Sequence, residues 1–220
     1  MGKLIITGVL FFVFIHSKAQ NGSIENLPQF LFPHFDTAVI TMKTGTRVNA
    51  VMNYNTLSEK MTFLHVNDLM DLTKAESVDT IYLNHKKFVS VEKAFYEVLL
   101  KAPIAFFIQH RSELKSIGRP AALGTTSQTI GSSSVSKLVG KTNSYNLKLP
   151  ADQKITPFRI FWIRVNGSFY RFMTTRQFLN LFPAKQDELK FYIKNNRIDI
   201  NNPEDLINLG NYCNEITRDN

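Results

Sequence analysis

The feature that most restricts the fold of this 220-residue chain is an alternation of apolar and polar residues between Thr37 and Arg111. Turn residues interrupt the alternation roughly every ten positions. A period of two places successive side chains on opposite faces, as in a β-strand with one buried face. The pattern therefore predicts about eight short strands in this part of the chain.

Short turn sequences separate these strands into pairs, and each pair predicts a β-hairpin. The paired segments are 39–42 with 46–53, 60–66 with 69–72, 78–83 with 87–91, and 95–100 with 104–110. Consecutive hairpins predict an antiparallel meander that curls into a sandwich or a partly open barrel.

A change of composition follows the meander. The segment 116–137 is rich in Gly, Ser and Thr and has almost no large apolar residue, which indicates a flexible loop or linker. Strand character returns over 145–149 and 155–165. Asn166-Gly167 then separates two apolar strands and predicts a hairpin with a type I′ turn.

The last part of the chain predicts three short helices. Thr174 and Gln177 have the spacing of a capping box, with Met173 and Phe178 placed as a hydrophobic staple, for a helix that ends at Phe182. Pro183 opens a second helix, and Asn202 precedes a third. The third helix has a predicted buried stripe of Leu206, Leu209, Cys213 and Ile216. The predicted fold class is α+β: an antiparallel β-rich meander, a hairpin and three short C-terminal helices.

The N-terminus has the pattern of a cleavable signal peptide. Lys3 precedes the apolar run 4–15, and Ser17 and Ala19 are small residues near the expected cleavage point. The run is shorter than the roughly 20 residues that a bilayer-spanning helix needs. We therefore expect export to the periplasm or the exterior, with possible association with the outer membrane. No transmembrane span is expected after cleavage, and no cysteine lies near the cleavage point to carry a lipid.

The expected organisation follows from these segments. Residues 1–19 form the signal peptide, and 20–36 an extended lead-in. Residues 37–111 form the β-rich domain, 112–141 a flexible Ser/Thr/Gly loop, and 142–220 a hairpin with helices packed on the same domain.

The sequence does not identify catalytic residues. Cys213 is the single cysteine, so no intrachain disulfide is expected, and we interpret it as a buried helix residue. The histidines do not have metal-ligand spacing, and motifs for phosphate loops, dinucleotides and serine nucleophiles are absent, so no metal or cofactor is expected. Glu97 lies between Tyr96 and Val98, and we expect it to face solvent.

The basic residues give one candidate binding site. Lys190, Lys194 and Arg197 are spaced to share a helix face, which would suit an anionic glycan or lipid surface. The alternative is a solvated face favoured by the helix dipole. Loss of residues 1–19 removes Lys3 and Lys18 and lowers the formal charge from +8 to +6, so nucleic acid is not an expected partner.

Several stretches resemble an uncharacterised group of exported proteins from Gram-negative bacteria of the Bacteroidota type. The similar stretches are Lys18-Ala19-Gln20, Lys43-Thr44-Gly45-Thr46 with Met52-Asn53-Tyr54-Asn55, and Leu181-Phe182-Pro183 with Phe191-Tyr192-Ile193-Lys194. The resemblance implies export but brings no activity or site residues. Asp36-Thr37-Ala38 and Asp79-Thr80-Ile81 also resemble the acceptor pattern for O-glycosylation in such bacteria.

Two functions remain open at this point. The first is a non-enzymatic binding or envelope-associated module that meets an envelope protein or an anionic glycan or lipid surface. The second is a hydrolase acting on cell-wall or dietary polymers, whose glycosidase version requires two carboxylates that face each other in one cleft.

Overall fold

The protein is an α+β structure, described by a computed structural model for residues 27–66, 68–116, 119–120, 126–127 and 153–218. The strands are β1 Asp36–Met42, β2 Arg47–Asn55, β3 Lys60–His65, β4 Asp68–Asp71, β5 Val78–Leu83, β6 Lys86–Val91, β7 Ala94–Leu100, β8 Ala105–Ser116, β9 Arg119–Pro120, β10 Thr126–Ser127, β11 Gln153–Val165 and β12 Ser168–Phe172. The helices are α1 Thr175–Leu179, α2 Gln186–Asn195 and α3 Pro203–Ile216, and single 3₁₀ turns lie at Ala75–Ser77 and Pro183–Lys185.

Ten of these strands form one antiparallel sheet in the order β12-β11-β8-β7-β6-β5-β1-β2-β3-β4, while β9 and β10 pair only with each other. The hairpins β1–β2, β3–β4, β5–β6 and β7–β8 confirm the predicted pairs. Asn166 and Gly167 have φ values of 51° and 80°, which confirms the type I′ turn between β11 and β12.

One strand pairing is not between sequence neighbours. After β4 the chain returns to the other side of β1, where β5 pairs with β1 and places Ile40 opposite Ile81. Two meanders therefore extend in opposite directions from the β1–β5 pair.

The sheet curls until the end of β2 reaches β8. The amide of Ser112 donates to the carbonyl oxygen of Thr56 at 2.9 Å, and the two hydroxyl oxygens lie 2.7 Å apart. The hydroxyl of Tyr54 donates to the carbonyl oxygen of His110 at 3.1 Å. These bonds join strands that are far apart in the sheet order, so the architecture is the partly open barrel rather than the two-sheet sandwich.

The concave side of the sheet holds two apolar clusters. One fills the barrel and includes Met52, Tyr54, Met61, Ile81, Leu83, Phe88 and Phe95. The other lies between the strands β8, β11 and β12 and the three helices, and includes Phe106, Phe161, Phe172, Phe178, Leu189, Leu206 and Leu209. The helices thus cover the part of the sheet that the barrel does not enclose.

Segment boundaries differ from the prediction at two places. β8 continues to Ser116 and pairs with the start of β11, so the first residues of the predicted loop 112–141 are strand. In the lead-in, Gln29 and Phe30 are buried, and the carbonyl of Gln29 accepts from the amide of Thr56. The predicted signal peptide, the predicted strand 145–149 and most of the predicted loop lie outside the described residues.

The helix caps are largely as predicted. The hydroxyl of Thr174 accepts from the amide of Gln177, and the side chain of Asn202 accepts from the amide of Glu204. The predicted staple is wrong, because the Met173 side chain turns to solvent while Phe178 packs on Phe106 and Phe172 in the core. The first helix also ends earlier than predicted, at Leu179.

The buried stripe of α3 is confirmed, including Cys213, whose burial raises the pKa of its thiol to about 12. Among the described residues, no helix has the length and apolar character needed to cross a bilayer.

Candidate functional site

Glu97 lies inside the barrel, contrary to the prediction that it faces solvent. It is 5% exposed, and its cross-strand neighbours are Phe88 on β6 and Ile108 on β8, both buried. Cross-strand neighbours share a face of the sheet. The prediction failed because β7 carries apolar residues on both faces, so alternation alone does not show which face is buried.

Two basic side chains hold the Glu97 carboxylate. The Nζ atom of Lys86 donates to Oε1 at 2.6 Å, and Nε2 of His110 lies 2.6 Å from Oε2. Burial raises the pKa of Glu97, but the hydrogen bonds and positive charges of His110 and Lys86 outweigh it and hold the pKa below its usual value. We call Tyr54, Lys86, Glu97 and His110 the inner cluster.

Tyr54 completes the inner cluster without adding a reactive group. Its ring meets the His110 ring edge-on at 6.2 Å and stacks on Phe88 at 5.8 Å. Burial, followed by the nearby charge of Glu59, raises the pKa of Tyr54, so the phenol stays protonated.

Glu97 and His110 form a carboxylate–imidazole pair of the kind found in catalytic dyads, but the pair does not contact a nucleophile among the described residues. A carboxylate–imidazole pair activates a nucleophile when the free ring nitrogen reaches a hydroxyl or thiol. Among the described residues, no hydroxyl or thiol hydrogen-bonds to the His110 ring. Each oxygen of the Glu97 carboxylate already has a hydrogen-bond partner, Lys86 at Oε1 and His110 at Oε2. We therefore expect the inner cluster to contribute to the stability of the barrel.

A second polar group lies on the other face of β8. Glu59 binds the Nε atom of Arg111 at 2.7 Å and accepts from Gln109, which in turn accepts from Nε1 of Trp162 at 2.9 Å. Gln109 and His110 are consecutive in a strand, so their side chains point to opposite faces. Glu59 and Glu97 are thus anchored on opposite sides of the sheet and do not form the facing pair of acids that glycoside hydrolysis requires.

The histidines are scattered, as they are in the sequence. His34, His65 and His85 are exposed, and His110 lies in the inner cluster. Within the described ranges, no group of three or more His, Cys, Asp or Glu residues is arranged to hold a metal ion.

α2 presents an apolar residue to solvent beside two lysines. Leu189 is fully buried, and Tyr192 stacks on Tyr212 of α3 with 3.9 Å between the ring centroids, so the helix is fixed to the core. Phe191, two positions after Leu189, points roughly 200° away from it around the helix. It is 68% exposed, and the lysines beside it, Lys190 and Lys194, are exposed as well.

Arg197 lies outside the helix, two positions after its last residue. α2 ends at Asn195, and the amides of Arg197 and Ile198 donate to the carbonyl oxygens of Lys194 and Ile193. This is a Schellman motif with Arg197 at the left-handed position, where its φ is 52°. The structure therefore places Lys190 and Lys194 on the exposed side of α2, whereas Arg197 lies beyond the helix in its C-terminal cap.

We call Lys190, Phe191, Lys194 and Arg197 the basic face of α2. Within the described part of the chain, none of its three basic side chains has a carboxylate within 4.0 Å. Two acidic residues, Asp187 and Glu188, lie in the first turn. Glu188 pairs with Lys185 at 3.3 Å, and the exposed Asp187 lies one turn before Phe191. The sequence identified the basic residues but missed Phe191, although its position two residues after Leu189 indicates the outer face.

The two predicted glycosylation patterns differ in accessibility. Thr80 is buried, and its hydroxyl donates to Asp79 at 2.7 Å, so a glycan has no space there. Thr37 is exposed on β1.

The chain was compared with protein-family models, curated proteins and solved structures, and none of them matches. Its function is therefore inferred from its own residues and their geometry.

Proposed function

We propose that the chain is an exported, non-enzymatic binding module that docks on an anionic lipid surface of the cell envelope through the basic face of α2. The observation that carries the proposal is Phe191, 68% exposed beside Lys190 and Lys194 on a helix anchored in the core. Export is the expectation from the sequence pattern of residues 1–19.

The aromatic side chain favours lipid over a soluble anionic glycan. Lysine and arginine bind either partner through charge, but an exposed Phe gains free energy by leaving water for the interfacial region of a bilayer. Basic residues that flank an apolar side chain place their charges at the headgroups while that side chain inserts. The fixed position of α2 means that little conformational entropy is lost when Phe191 inserts.

The expected affinity is low and depends on salt. Burial of most of a Phe side chain contributes about 1–2 kcal/mol, and each basic residue near an anionic membrane contributes about 1 kcal/mol. Together with the three basic residues, this corresponds to a dissociation constant on the order of 0.1–1 mM. Such binding is reversible, and salt weakens it by screening the charges.

The test is co-sedimentation of the purified protein with two kinds of vesicle, phosphatidylglycerol mixed with phosphatidylcholine and phosphatidylcholine alone. We expect binding only to the anionic vesicles, with a loss of about tenfold or more in Lys190→Gln/Lys194→Gln and a smaller loss in Phe191→Ser.

Matched controls use exposed residues elsewhere. Lys43→Gln/Lys101→Gln removes the same charge, and Val66→Ser removes an exposed apolar side chain from the β3–β4 turn. Both controls are expected to bind like the unmodified protein. Equal binding to both kinds of vesicle, or equal losses in the control and α2 variants, would refute the proposal.

A further inference from the structure

β12 is one edge of the ten-stranded sheet, and the geometry of its hairpin shows which backbone groups face outward. Val165 and Ser168 close the two-residue turn and form a hydrogen-bonded pair. Bonded and non-bonded pairs alternate along an antiparallel ladder. Ile163 with Tyr170 is therefore a bonded pair, whereas the amides and carbonyls of Phe169 and Arg171 point away from β11.

These outward groups have no partner in the described part of the chain. The sheet order ends at β12, and no described backbone or side-chain group hydrogen-bonds to the main chain of Phe169 or Arg171. The edge therefore offers two donors and two acceptors in a row, which is a template for another strand.

We propose that the β12 edges of two copies of this chain pair antiparallel about Tyr170 and form a symmetric dimer with one continuous sheet. With Tyr170 on the two-fold axis, Phe169 of one copy lies opposite Arg171 of the other. Both residues turn their amide and carbonyl to the edge, so each such pair exchanges two hydrogen bonds. The two-fold axis repeats the pair and satisfies every outward group of both residues.

The side chains are complementary in the same register. Phe169 and Arg171 lie on the outer face of the sheet, as Phe107 and Trp162 do, because residues opposite each other in a sheet share a face. The Phe169 ring packs back over the sheet on Phe107 and Tyr96, with 5.1 and 6.4 Å between ring centroids. Each Arg171 therefore lies opposite an uncharged residue of the other copy, and the register brings no like charges together. On the other face, the two Tyr170 side chains, each 43% exposed, meet at the axis and cover one another.

The opposite edge of the sheet is protected against the same pairing. β4 has only four residues and carries Asp68 and Asp71 at its ends. Symmetric self-pairing of β4 would set these carboxylates opposite each other, and like charges in that position are destabilising. β12 has no acidic residue, and its one charged residue, Arg171, lies opposite the uncharged Phe169 of the other copy. The second copy is therefore the occupant that the β12 edge fits.

Disulfide trapping tests the register directly. At the axis, the two Tyr170 residues form a non-hydrogen-bonded pair with Cα atoms about 4.5 Å apart, within the range that a disulfide spans. Under mild oxidation we expect Tyr170→Cys to form a covalent dimer on a non-reducing gel. The natural Cys213 is fully buried in α3 and does not compete. The control is Tyr82→Cys, 49% exposed on the central strand β5, which should remain monomeric.

Sedimentation equilibrium of the unmodified protein provides a second, independent readout. We expect reversible dimerisation that Tyr170→Lys abolishes, because it places two like charges at the axis, and that Tyr82→Lys leaves unchanged. A protein that stays monomeric at all accessible concentrations, or a dimer that tolerates Tyr170→Lys, would overturn the proposal. So would equal cross-linking of the two cysteine variants. Changes in the basic face of α2 should leave the dimer intact, so this proposal and the proposed lipid binding can fail separately.

Discussion

Replacement of Glu97 by Gln tests whether the inner cluster stabilises the barrel. Gln keeps the size of the side chain and removes its charge. In the unmodified protein, the carboxylate binds Lys86 and His110 at 2.6 Å each, and Glu97 is 5% exposed. The variant leaves the Lys86 ammonium without its counter-ion and weakens the contact with the His110 ring.

The magnitude follows from the burial of each partner. A hydrogen bond to a charged group contributes about 1.5–3 kcal/mol, but Lys86 is partly exposed and recovers some hydration, so its share is smaller. Since Gln can still form neutral hydrogen bonds, we expect Glu97→Gln to lower the free energy of unfolding by about 2 kcal/mol at pH 7. That corresponds to a decrease in Tm of about 4–8 °C for a chain of this size.

The pH dependence separates a charge effect from a packing effect. Because the folded pKa of Glu97 is lowered, its contribution is fully present above the unfolded pKa of about 4.3 and is lost as the pH falls through the folded value. In urea unfolding, the difference in free energy of unfolding between the unmodified protein and Glu97→Gln should therefore be smaller at pH 3.5 than at pH 7.

The matched control for this experiment is Glu113→Gln, whose carboxylate pairs with Lys115 on the exposed surface. This substitution should lower the free energy of unfolding by well under about 1 kcal/mol at either pH. A cost of Glu97→Gln that is no larger than the control, or that stays constant between the two pH values, would refute the role assigned to the inner cluster.

Two further substitutions test the packing of α3 and the end of α2. Gly210→Ala adds a Cβ that would lie 2.6 Å from Leu100 and 2.9 Å from the buried Phe106. We therefore expect thermal unfolding to show that the free energy of unfolding falls by about 1–3 kcal/mol. A gain in stability would contradict this close packing. Arg197→Gly relieves a left-handed backbone conformation that costs a non-glycine residue about 1 kcal/mol. We therefore expect the Tm to rise, while the loss of a positive charge weakens binding to anionic vesicles. A lower Tm would contradict the cap geometry.

Turns and helix caps could be predicted from the sequence where a few neighbouring residues determine them. Asn166-Gly167 fixed a type I′ turn because both positions need a positive φ. Asn202 capped α3 because its side chain accepts from a free amide at the start of the helix. These features depend on a few neighbouring residues, so the sequence contains the information that determines them.

The non-local features did not follow from the sequence. Nothing near Ile40 or Ile81 indicates that β5 returns to pair with β1, since any antiparallel neighbour would bury those residues equally well. The orientation of Glu97 depends on Lys86 and His110, which reach it from two other strands. The candidate site on α2 could be predicted only in part. Its lysines were evident from their spacing, whereas the place of Arg197 depends on where α2 ends.

The most direct test of lipid docking is the fluorescence of Phe191→Trp on vesicles whose acyl chains carry bromine. The unmodified protein supplies the baseline, because Trp162 is its only tryptophan and lies on the sheet, hydrogen-bonded to Gln109. The proposal predicts a blue shift and bromine quenching of the new tryptophan on phosphatidylglycerol vesicles, reversed by high salt. Emission that stays the same as in buffer, with no quenching beyond that of the unmodified protein, would contradict it.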